Sequence, residues 1–164
     1  MIIRILSLVA IIVLCHGPSR AETIDARSFD KTFNSAAKRL KSDLALQSVG
    51  CSTVECEFGA VPDLRLLARG EGSHGDIIEI SAYLPRDAAD RARSTRSVLT
   101  ATSVVATLIA IFNPVVSPTD RGKAVMALME GAAGPTRRGE IALGGVKYVL
   151  SATQGDNLRI YVTR

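Results

Sequence analysis

Gly70-Glu71-Gly72-Ser73-His74-Gly75 is a literal G-x-G-x-x-G, the spacing of a dinucleotide site. In such a site the glycines leave a strand and open a helix, whose first amides hold the pyrophosphate. Here Asp76-Ile77-Ile78-Glu79-Ile80 comes next and continues as a strand, with Ile78, Ile80, Ala82 and Leu84 at period two, so no helix N-terminus faces the glycines. The run therefore reads as a hairpin connection, where glycine supplies the turn conformations, and no nucleotide or other cofactor is expected.

The same loop holds the other residues with catalytic chemistry. Glu71, Ser73 and His74 are a carboxylate, a hydroxyl and an imidazole within four positions. A serine nucleophile needs a histidine that reaches it and a carboxylate that orients the histidine, but neighbours along a loop point apart. A small secreted hydrolase would require these three to converge with a distant carboxylate in one concave pocket. The plainer reading is a solvated polar loop, which favours a non-catalytic protein over an enzyme.

Cys51 and Cys56 stand in a C-x4-C spacing. Redox chemistry wants C-x-x-C at a helix N-terminus, and a structural zinc site wants four ligands, which two cysteines and His74 cannot supply. A disulfide across a tight hairpin is the expected state. Arg86, Arg91, Arg93 and Arg96 form a basic cluster beside Asp87 and Asp90. They are candidates for contact with an anionic surface, and equally suited to a solvated helix face with internal ion pairs. Tryptophan is absent and Phe and Tyr total seven, too few to interleave bases, so nucleic acid is not an expected partner.

The N-terminus has the layout of a cleavable signal peptide. Arg4 precedes an apolar run from Ile5 to Cys15, Gly17-Pro18 breaks it, and Ser19-Arg20-Ala21 places small residues before Glu22. The run is too short to span hydrocarbon, and Leu14 before Cys15 does not suit a lipoprotein site. Residues 1–21 are thus expected to be removed, leaving one domain over 22–164, with the formal charge falling from +4 to +2 and an even number of cysteines. This is the pattern of an exported, periplasmic or secreted protein in an oxidising compartment.

The elements that must position these residues follow from periodicity. Phe29, Phe33, Ala36, Ala37, Leu40 and Leu44 mark one stripe of a helix over 28–46. Strands are predicted over 53–58, 64–69 and 76–84, with Glu79, Ser81 and Tyr83 sharing one face of the last. A long helix over 86–112 is charged at first and apolar from Val98 onward. A second helix begins with Ser117 as cap and Pro118 at its first position. Strands over 140–143, 146–153 and 158–163 close the chain, with Gly144-Gly145 as a turn.

The fold class is α+β: two antiparallel three-strand meanders, in the order α-βββ-α-α-βββ, packed around a long buried central helix. The likeness of 66–81 to 149–162 hints at a duplication. The uncharged stretch 97–116 is also long enough for a membrane span, which defines the alternative of a single-pass protein. Its hydroxyl residues, the break at Asn113-Pro114 and the arginines on its outer flank argue for a helix covered by the protein itself. The chain is read as a binding or interaction module of the cell envelope, its partner a protein or a small apolar ligand held between sheet and long helix, with membrane association as a further expectation.

Overall fold

The computed structural model describes residues 24–60, 63–71, 76–85, 90–153 and 157–164. The expected leader 1–21, Ser73, His74, Arg86 and the side chain of Arg91 lie outside the described residues.

Helix α1 (Phe29–Arg39) buries the side of the stripe formed by Phe29, Phe33, Ala36 and Ala37. It stops earlier than the stripe predicts. Lys41 takes a left-handed conformation (φ 57°), and the Ser42 amide donates to the Ala37 carbonyl at 3.0 Å, a helix end usually signalled by glycine. The chain is then held by Asn34, whose Oδ1 accepts from the Leu46 amide (2.7 Å) and whose Nδ2 donates to the Leu46 carbonyl (2.9 Å). That clamp redirects the backbone into a strand the periodicity did not show, β1 (Gln47–Cys51), whose five residues are all exposed.

The first meander therefore has four strands: β1, β2 (Glu55–Ala60), β3 (Leu64–Gly70) and β4 (Ile77–Leu84). Helix α2 (Arg91–Phe112) follows, its first turn capped by the Asp90 carboxylate, which accepts from the Arg93 amide. Helix α3 (Pro118–Ala133) has the expected start: Pro118 sits in its first turn and Ser117 accepts from the Asp120 amide. Strands β5 (Arg138–Leu143), β6 (Val146–Ala152) and β7 (Leu158–Thr163) form the second meander.

The two meanders are not separate sheets. β4 pairs with β7 from Glu79↔Thr163 to Leu84↔Leu158, so seven antiparallel strands form one sheet in the order β1-β2-β3-β4-β7-β6-β5. The segments whose likeness suggested a duplication meet at this central pair.

All three helices contribute to one core with one face of the sheet. Phe29 stacks edge-on against Phe58 of β2, centroids 5.9 Å apart. Ala101, Val104, Val105, Leu108 and Ile109 of α2 are buried against the sheet. The α+β reading is correct, and the stretch expected to be shielded by strands is shielded on that side. Its hydroxyls are accommodated locally: Thr107 donates to the Ser103 carbonyl (2.7 Å), Thr102 to Val98 (2.9 Å) and Ser97 to Pro85 (2.7 Å). By length and composition α2 could cross a membrane, and half of its apolar window is buried.

Because the meanders join edge to edge, they cannot enclose α2 from both sides. Its outer side, from Leu99 to Ala110, is only partly covered. The gap between sheet and long helix, expected to be an apolar binding groove, is the packed core itself.

Cys51 and Cys56 are register partners in β1 and β2 and are bonded, with S–S 2.09 Å. The bridge closes a loop of sequence separation 5, for which the chain-entropy relation gives about 2 kcal/mol of stabilisation. Replacing both cysteines with alanine should lower the unfolding free energy by that amount in urea. An unchanged midpoint would mean that β1 contributes nothing to the folding unit.

Candidate functional site: the open face of the sheet

A sheet with helices on one face leaves the other to solvent, and its alternate residues must then be polar or serve a contact. The register sets them out in rows that run across the strands. Counting from β2 to β5, one row is Glu57, Leu67, Ser81, Tyr161, Val149 and Glu140. On one side of it run Arg65, Tyr83, Arg159, Ser151 and Arg138, and on the other Arg69, Glu79, Thr163 and Lys147.

The four middle positions of the first row carry no charge, and its ends do. Arg65 pairs with Glu57 at 2.5 Å and Arg69 with Glu79. Glu140 accepts from Lys147 at 2.6 Å and from Arg138 at 3.1 Å. Those hydrogen bonds, first from Lys147 and then from Arg138, hold the Glu140 carboxyl below its ordinary range. All these pairs are solvated, so they contribute little to stability. Their effect is to fix long side chains in a rim around Leu67, Tyr161 and Val149.

Val149, Tyr161 and Thr163 floor a shallow open depression walled by Arg138, Lys147 and Glu79, with a volume of about 450 Å³. Arg159 makes no ion pair with any described carboxylate. Two phenols, three small hydroxyl side chains and several guanidinium groups can stack and donate hydrogen bonds. They offer no nucleophile paired with a base.

The residues singled out from sequence fall elsewhere. Glu71 is exposed just past β3, and its amide donates to the Asp76 carbonyl at 3.2 Å. Strands β3 and β4 flank the glycine run on either side, and no helix follows it. Arg93 and Arg96 lie exposed on α2, on the opposite side of the molecule from the open face. No cluster of His, Cys, Asp and Glu suited to a metal occurs among the described residues. Tyr83 is legible in the sequence as a member of the polar face of its strand; Tyr161, Arg159 and Leu67 are not, because their neighbours come from other strands. No protein-family model, curated protein or solved structure matches this chain.

Proposed function

We propose that this chain is an exported, non-catalytic interaction module of the cell envelope, and that it binds a protein partner through the open face of its sheet. One observation carries the reading: an uncharged centre containing Leu67, Tyr161 and Val149 is ringed by cross-strand ion pairs. Protein interfaces have this anatomy, an apolar centre within a polar rim, and tyrosine and arginine are the residues that most often dominate their energetics. The leader-like N-terminus and the Cys51–Cys56 bridge support export, since structural disulfides persist in oxidising compartments.

A single-pass arrangement is the less economical alternative. Inserting α2 in a bilayer would take Val104, Val105, Leu108 and Ile109 away from the sheet and strip its inner face of cover.

The test places a photo-crosslinking residue at position 161 and, as control, at the more exposed Met126 of α3, in cells producing the full chain. A single envelope protein captured at 161, and lost in an Arg159→Glu background, is the expected outcome. For the purified pair, Tyr161→Ala should weaken affinity at least thirtyfold, with the unfolding free energy within about 0.5 kcal/mol of the parent. Capture at Met126 alone, or recovery of the chain from the cytoplasm, would overturn the reading.

A further inference from the structure

The six ion pairs formed among described residues lie on the sheet, at its end, or within α3. The outer side of α1 and the first half of α2 is different. Lys31, Lys38, Arg39, Lys41, Arg93 and Arg96 are exposed there, against Asp30, Asp43, Asp63 and Asp90, and none of the six cations pairs with a described carboxylate. Asp90 is committed to capping α2.

Beside these cations lies an uncharged helix side. From Ser97 to Phe112 α2 bears no ionisable group, and its outer positions Leu99, Thr102, Ser103, Ala106 and Ala110 are exposed or half-buried. Leu99 is 63% exposed, which burial in the protein's own core does not explain. Lys41, Arg96 and Leu99 share one recess of about 340 Å³, together with Thr100, Ser103 and the Asp43 carboxylate. Arg93 and Arg96 border a second hollow with Asp63.

The geometry points to an anionic phospholipid surface as the occupant of this side. Unneutralised cations beside a projecting apolar side chain on a helix lying parallel to the surface are what interfacial attachment uses: the cations meet headgroup phosphates and the apolar side chain enters the acyl boundary. A guanidinium suits phosphate because its fork donates two hydrogen bonds at once. The local excess of cations over carboxylates sets the preference for anionic over neutral lipid. The attachment is peripheral: α2 keeps its inner side against the sheet, and the open sheet face stays free for the protein partner.

The experiment is co-sedimentation of the protein, in the form its producing cell releases, with vesicles of phosphatidylglycerol and phosphatidylcholine or of phosphatidylcholine alone. Binding is expected on the mixed vesicles only, and should fall as salt rises. Each cation near such a surface is worth about fivefold in affinity, so Arg93→Gln with Arg96→Gln should lower partitioning roughly 25-fold, and Leu99→Asp should lower it further. Arg159→Gln on the sheet should leave it unchanged.

Equal binding to both vesicle types, or equal loss in the Arg159→Gln control, overturns the inference. So does displacement by millimolar inorganic phosphate, which would confine the ligand to a single free anion. A dimer that Leu99→Asp dissociates, with no vesicle binding, overturns it too and assigns the face to a second copy of the chain. Because Arg93, Arg96 and Leu99 lie on α2, away from Tyr161, partner capture through the sheet is read separately from lipid binding.

Discussion

Gly139→Ala should destabilise the protein by about 3 kcal/mol, the largest effect expected of any single methyl group added to it. Helix α3 crosses β5 with backbone against backbone. A Cβ on Gly139 would stand 2.1 Å from the Leu128 carbonyl oxygen and 2.7 Å from the Leu128 Cα. Neither atom belongs to a side chain that can rotate away, so the helix or the strand must move as a body. Leu128, Val125 and Ala132 are buried beneath α3, and lifting the helix would loosen all three, which is why the cost falls at the upper end for overpacked sites.

The reciprocal position sharpens the test. A Cβ on Gly131 would lie 2.4 Å from the Gly139 Cα, but Gly131 is inside α3, where alanine gains about 1 kcal/mol of helix propensity. Gly131→Ala should therefore cost less than Gly139→Ala. The two changes together should cost less than their sum, since one displacement of the helix relieves both. Urea unfolding of the three variants measures this. A Gly139→Ala protein with an unaltered midpoint would show that α3 does not sit on β5.

Asn113→Ala should cost nearly as much, about 3 kcal/mol, through hydrogen bonds and not through volume. Asn113 ends α2 and is 7% exposed. Its Nδ2 donates to the Leu143 carbonyl at 3.0 Å and its Oδ1 accepts from the Tyr148 hydroxyl at 2.6 Å. Truncation leaves a buried hydroxyl and a half-buried carbonyl without partners, and each such group costs roughly 1–3 kcal/mol. Tyr148→Phe removes one of the two bonds and should cost less.

In the double variant the phenol is gone, so the loss of Asn113 orphans one group fewer. A double-mutant cycle should return a coupling of about 1 kcal/mol, and strict additivity would deny the bond. Burial also holds the Tyr148 phenol well above its usual value of 10. The folded state thus keeps a proton that the unfolded chain releases, and stability is lost as pH climbs past 10. Tyr148→Phe should flatten that alkaline decline.

The helix stripe of Phe29 and Phe33, the cap at Ser117, the turn at Gly144-Gly145 and the pairing of Cys51 with Cys56 were legible because each rests on contacts within a few residues. Strand β1 was not. It depends on Asn34 reaching Leu46 and on Lys41 adopting a conformation that its residue type does not advertise. The catalytic and nucleotide patterns around Ser73 and His74 rest on spacing alone, and the strands on either side remove the helix that the nucleotide pattern needs. Arg93 and Arg96 stand out in the sequence as part of a basic group, and both are exposed on α2. What stands beside them, Lys41 of the α1–β1 connection and the projecting Leu99, emerges only when two helices are laid side by side.

By itself the amino-acid order determined the class of fold, the disulfide and the order of most elements, because periodicity, turn chemistry and local loop closure act over short separations. Tertiary structure decided that the two meanders share one edge. That single pairing, β4 with β7, depends on residues about eighty positions apart, and no local pattern encodes it. It places the three described α-helices on one side, bares the opposite face with Tyr83, Arg159 and Tyr161, and leaves the outer flank of α2 only partly covered. Both surfaces proposed here to meet partners follow from it.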